Sequence, residues 1–322
     1  MSLAIWAGFV VFVLLMIALD LGILHRKSAE ISPKKALQWT GFCIVLALLF
    51  NVFVYFLYQN HWADFGIASG LSGKDAALQF FTAWVVEQSL SLDNVFVIAL
   101  IFSYFKIPRQ FQHRVLLWGI VGALLMRGTM IALGATLIAS FAWIHYAFGA
   151  LLIYAAIKIL TVKEGDLQPE HNLLFRIATS LYPVTKELDG QKFFSVLNGK
   201  RAITPLFLVL LVIESTDVLF AVDSIPAVFA ITEDPFIVFT SNIFAILNLR
   251  SLYFGLSALM DKFKYLKVGL VFILIFVGIK MILAHHYKIP TEITFVVIVG
   301  ALAGAICYSM IKAAKTAPHI AD

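Results

Sequence analysis

The stretch VIESTDVLFAVDSIPAVFA, residues 212–230, decides the fold. With the apolar residues before it, it is long enough for a helix crossing a hydrocarbon core, which takes about 20 residues. Yet it carries Glu214, Asp217 and Asp223. One charge inside a bilayer costs about 2.5–3.5 kcal/mol on insertion scales. Three in one span must therefore be offset by counter-charges, water or a bound cation.

Working outward, apolar runs of similar length lie near 3–24, 37–58, 77–102, 115–139, 143–162, 202–231, 236–260, 267–286 and 292–313. The 322 residues are 61% hydrophobic and 13% charged, with a mean hydropathy of +0.93, against about 25% charge in soluble domains. These features predict an all-α polytopic transmembrane bundle of about nine helices, forming a single membrane domain over 1–322. The first run has no basic segment before it and no small-residue cleavage site after it, so it reads as a retained span. Cys43 and Cys307 both lie inside apolar runs, which leaves no disulfide framework and no thiolate metal site.

The net charge of +5 is a matter of membrane orientation and not of nucleic-acid binding. Of the 24 Lys and Arg residues, 18 fall in 25–38, 103–114, 163–201, 261–267 and 311–322. The opposite segments, 59–76, 140–142, 232–235 and 287–291, hold only Lys74 and Lys288. Basic residues stay cytoplasmic, which places the N-terminus in the periplasm and the C-terminus in the cytoplasm of a bacterial inner membrane. The cytoplasmic loop 163–201 is too short to fold alone and reads as a linker with an amphipathic stretch near Leu173–Leu181. A soluble partner docking there, or a homodimer, are the partner alternatives to lipid and a metal ion.

A second stretch, VVEQSLSLDNVFVIAL (85–100), parallels the first. Glu87 precedes Asp93–Asn94 by six positions, as Asp217 precedes Asp223–Ser224. One span later each half has a buried arginine, Arg127 and Arg250, and one span after that an Ile-Lys pair, ending in Lys158 and Lys280. The spans 85–100 and 212–230 run in opposite directions. This pattern predicts inverted three-helix repeats, repeat A over about 77–162 and repeat B over about 202–286, of the kind that places a substrate at mid-depth in secondary transporters.

Within this frame the candidate metal ligands are Glu87, Asp93, Asn94, Glu214, Asp217, Asp223 and Ser224. They offer carboxylate, amide and hydroxyl oxygens, a set that suits Mg, Ca and Mn over Zn and Cu. All eight histidines fall in loops or near span ends. Arg127 and Arg250 can each neutralise a carboxylate, and Lys158 and Lys280 can extend toward the interface. Asp20, Asn242 and Lys280 complete the charge-balancing or pathway residues. Pro226 removes the usual donor to the Val222 carbonyl, predicting a break beside Asp223; in 85–100 a break would have to come from Ser89, Ser91 and Asn94. The glycines Gly119, Gly122, Gly128 and Gly134 are expected to permit close helix packing. No nucleophile elbow, phosphate-binding glycine loop or zinc helix is present, so the chain is not read as an enzyme and no resident cofactor is expected.

The segments EQSLSLDNVFVIALIFSYFKIP (87–108), ESTDVLFAVDSIPAVFAIT (214–232) and SNIFAILNLRSLYF (241–254) resemble the TerC family of membrane proteins. The length and nine-span layout look nearest its Alx-type members. The resemblance implies a helical membrane protein of a family historically tied to tellurium resistance, with Alx-type relatives associated with manganese export. The family's acidic motif positions fall on Glu87, Asp93–Asn94, Glu214, Asp217 and Asp223–Ser224. The expected function is transport of a divalent metal cation, Mn2+ efflux from the cytoplasm, with Ca2+ or Mg2+ as other candidate ions and protons as the exchanged ion. The alternatives are a stress-response membrane anchor acting through protein partners, and an exporter of an organic cation.

Overall fold

The computed structural model describes residues 3–24, 33–67, 69–161, 172–185, 187–197, 199–256, 266–284, 287 and 289–316. Nine long helices stand among them: α1 (Leu3–Leu24), α2 (Pro33–Gln59), α3 (Gly73–Tyr104), α4 (Arg109–Ser140), α5 (Ile144–Thr161), α7 (Pro205–Phe229), α8 (Pro235–Leu256), α9 (Leu266–Leu283) and α10 (Thr291–Thr316). Each covers one of the apolar runs. The short α6 (Leu173–Leu181) is the amphipathic stretch of the loop 163–201.

Local chemistry sets the helix starts. Ser72 caps α3 by accepting a hydrogen bond from the Asp75 amide at 3.1 Å. Pro205 opens α7 directly after Thr204, a position where its missing N–H has no partner to lose. Asp234 opens α8, accepting from the amides of Phe236 and Ile237 at 3.0 and 3.3 Å.

The loop 163–201 holds one element that its reading as a linker leaves out. Strands β1 (Phe194–Leu197) and β2 (Lys200–Ile203) pair antiparallel, with Phe194 opposite Ile203. The signal is the Asn198–Gly199 dipeptide between two β-favouring runs, and Gly199 adopts φ +75° as such a turn requires.

Helix α8 is the centre of the bundle. It packs against α2, α3 and α4, while α4 also packs on α7 and α5 on α9. Thr240, Ser241, Asn242, Asn248, Arg250 and Ser251 are all buried on α8. The three hydroxyls bond back to carbonyls of α8 itself, whereas Asn242 Oδ1 accepts from Arg127 of α4, a bond between helices that lipid could not supply. The α5–α9 crossing is close because both helices present glycine there. A Cβ on Gly149 would lie 2.7 Å from the Gly278 carbonyl oxygen.

The break expected beside Asp223 is corrected, and 85–100, where a break was only conditional, is continuous too. Both α3 and α7 run unbroken through their acidic motifs. Pro226 lies only one turn before the end of α7, where a single missing hydrogen bond does not part the helix. In α3, Ser89 donates back to the Val85 carbonyl at 2.7 Å, which the helix tolerates without interruption.

Candidate functional site

The site is built around Arg127, fully buried at the middle of α4. Its guanidinium reaches three other helices. It pairs with the Glu87 carboxylate of α3. It grips Asp217 of α7 in a fork, Nη2 to Oδ1 at 3.2 Å and Nε to Oδ2 at 3.3 Å, the two-point geometry that makes arginine–carboxylate pairs strong. It donates to Asn242 Oδ1 of α8 at 3.1 Å and to Ser224 Oγ at 3.5 Å. Ser224 in turn donates to Glu87 Oε1 at 3.4 Å. One acid from each of the two acidic motifs thus shares a single counter-ion. The second oxygen of Glu87, Oε2, is buried with no hydrogen-bond partner among the described residues.

Beside this knot lies a narrow cavity of about 30 Å3, walled by Asn94, Glu214, Thr216, Asp217 and Arg250 among others. That is room for one water or one largely desolvated ion. Glu214 and Asp217 reach it together because they are three residues apart on one helix face. The space for the Glu214 carboxylate is provided by Gly122 of α4, where any Cβ would overlap it. Gly122 is therefore a carboxylate pocket as much as a packing position. Gly134 fits the expected packing role, since a Cβ there would lie 2.7 Å from the Phe229 ring.

The remaining sequence candidates are placed as follows. Asp223 is not among the partners of Arg127 and lies within electrostatic reach of Lys158 on α5. Lys158 is exposed, as expected of a side chain extending to an interface. Lys280 is not: it is buried in the wall of a much larger cavity at the end of the bundle where residues 64–67, 140–142, 232–235 and 289–291 come together. The side chains of Asp20 and Asp93 lie outside the described residues, as do His285 and His286. Among the described residues, no three His, Cys, Asp or Glu side chains converge as a metal-binding group; the acids instead meet around a guanidinium.

Spacing alone left out the large cavity, the carboxylate pocket at Gly122 and a polar clamp at the other end of α8. In that clamp Tyr253 donates to Gln112 Oε1 at 2.9 Å, and Gln112 donates to the Ile107 carbonyl at 2.9 Å. Each depends on which helices are neighbours.

A family model described as the integral membrane protein TerC family matches residues 72–317, from the cap of α3 to the end of α10. The chain belongs to the TerC family. Its TerC-family relatives include membrane protein STKORF319 of Myxococcus xanthus, 46% identical over 100% of this chain and 96% of the relative. The proposed membrane-bound redox modulator Alx of Escherichia coli (strain K12) is 42% identical over 92% of this chain and 91% of its own length. A membrane protein of Rickettsia felis is 39% identical over 95% of this chain and 97% of its own. No solved structure matches. Knot and cavity both lie inside the region the TerC model covers.

Proposed function

We propose that this TerC-family protein is a divalent metal cation transporter of the bacterial inner membrane, exporting Mn2+ from the cytoplasm in exchange for protons, with its N-terminus periplasmic and its C-terminus cytoplasmic. The observation that carries this reading is the narrow cavity beside Arg127, onto which Glu214, Asp217 and Asn94 open together. Glu214, Asp217, Asn94 and Thr216 offer it oxygen donors, the ligand class of manganese, magnesium and calcium, beside the Arg250 guanidinium and apolar side chains, and its size admits one ion.

Asp217 stands at the junction of cavity and knot. A cation entering beside Glu214 competes with Arg127 for the Asp217 carboxylate. As Asp217 turns to the ion, Arg127 keeps Glu87 and Asn242, so its charge is never left bare. When the ion leaves, the fork to Asp217 closes again. Glu87 Oε2, buried with no hydrogen-bond partner among the described residues, is the oxygen we assign to the path of the ion moving in the opposite sense. The packing of α3 on α8, α4 on α7 and α5 on α9 supports two halves related by a two-fold in the membrane plane, because such an axis would exchange the first two contacts and map the third onto itself. Movement of a redox-active transition ion is also compatible with the name of the enterobacterial relatives.

The test is Mn2+ flux in proteoliposomes, with and without a pH gradient. Wild-type protein is expected to move Mn2+ faster under the gradient, and Glu214→Gln and Asp217→Asn to abolish the flux. Wild-type vesicles no more permeable to Mn2+ than empty ones would overturn the proposal. Ca2+ and Mg2+ as competitors report selectivity.

A further inference from the structure

At the end of the bundle where residues 64–67, 140–142, 232–235 and 289–291 come together, a cavity of about 1280 Å3 opens between the helix ends. Lys280 of α9 lines it at 9% exposure. Its ammonium has no hydrogen-bond or ion-pair partner among the described residues. An ammonium taken out of water without a counter-charge is strongly disfavoured. Lys158, at the matching place in the first half, avoids this by being exposed. Lys280 is buried as a residue, and the cavity it lines is where its polar end meets water or a ligand.

Three acids line the wall with it, and none lies within ion-pair distance of Lys280 among the described residues. Asp234 is committed to the amides of Phe236 and Ile237. Glu233 faces His145, Oε1 to Nε2 at 3.1 Å. Asp64 is exposed. Gln79, Ser140, Thr232 and Thr291 contribute donors to the same wall. A buried cation set among amide and hydroxyl donors, with no wall carboxylate within ion-pair distance of it among the described residues, is the chemistry that recognises a carboxylate or phosphate group. We propose that this cavity binds an oxyanion, anchored by Lys280, as a site separate from the cavity beside Arg127.

The oxyanion can come from a free solute or from a phospholipid headgroup, and two measurements on the purified full chain separate them. In detergent, succinate or inorganic phosphate at millimolar concentration is expected to raise the Tm of the wild type above that in chloride of equal ionic strength, and to leave Lys280→Met unmoved; that result assigns a free anion. In native mass spectrometry, phosphatidylglycerol retained by the wild type and lost from Lys280→Met assigns a lipid headgroup. If Lys280→Met fails to fold, acylation of Lys280 in the wild type by an amine-reactive reagent, mapped by peptide mass spectrometry, gives the same answer: succinate, phosphate or phosphatidylglycerol should slow it. A wild type whose Tm, lipid retention and Lys280 acylation are all indifferent to these three probes overturns the proposal.

Discussion

Replacing Arg127 by glutamine leaves Glu87 and Asp217 buried without their shared counter-ion, since both now depend on one guanidinium. Breaking a buried pair in this way typically costs about 3–5 kcal/mol, so Arg127→Gln should lower the Tm markedly in detergent. Restoring neutrality with Glu87→Gln and Asp217→Asn in the same chain should recover most of it. Gly122 leads to a different outcome. Its missing Cβ is the space that the Glu214 carboxylate fills, and a flexible carboxylate can swing aside. Gly122→Ala should therefore fold nearly as well as the wild type while losing Mn2+ flux. Residue chemistry was the most legible layer. Charge cost alone singled out Glu87, Asp217 and Arg127 as needing partners. What spacing could not supply was stoichiometry: it paired each arginine with one acid, whereas Arg127 takes two, from helices whose adjacency only the packed bundle defines.

At the scale of elements, apolar length located all nine long helices because lipid leaves few other solutions for a spanning backbone. The continuity of α7 was misjudged for a physical reason: a proline in a last turn perturbs a helix without parting it, as serine back-bonding does in α3. The hairpin β1–β2 was readable in Asn198–Gly199 and its flanks. The start of α8 yields a pH-dependent expectation. Burial raises the Asp234 carboxyl above the usual carboxylate range, while the nearby Tyr58 hydroxyl and the amides of Ile237 and Phe236 pull the other way. A raised folded pKa means the native state binds the proton more readily than the unfolded chain, so stability falls as pH rises through the window from the ordinary value to the raised one. Asp234→Asn keeps a side-chain acceptor for the α8 amides and carries no ionisable proton. Thermal unfolding at a series of mildly acidic pH values should show that slope in the wild type and a shallower one in Asp234→Asn.

For the whole molecule, the contact that joins the two proposed halves most closely is α5 on α9, where Gly149 and Gly278 let the backbones approach. Gly149→Val pushes a branched side chain into the Gly278 carbonyl and the Ile282 side chain. Overpacking of this kind costs about 1–3 kcal/mol, and the loss should appear as a lowered Tm with a slowed transport rate, since both halves must move past this crossing. The burial of α8 has a consequence for how the protein is made. Its hydroxyls bond back to carbonyls of α8 itself, but Asn242 Oδ1 is met by Arg127 of α4 and Arg250 is buried among protein neighbours, so on leaving the ribosome α8 meets lipid as a poor solvent. It should partition into the bilayer alone with low efficiency and be retained beside the insertion machinery until its earlier neighbours receive it, making biogenesis of this chain depend on the order in which its helices are synthesised.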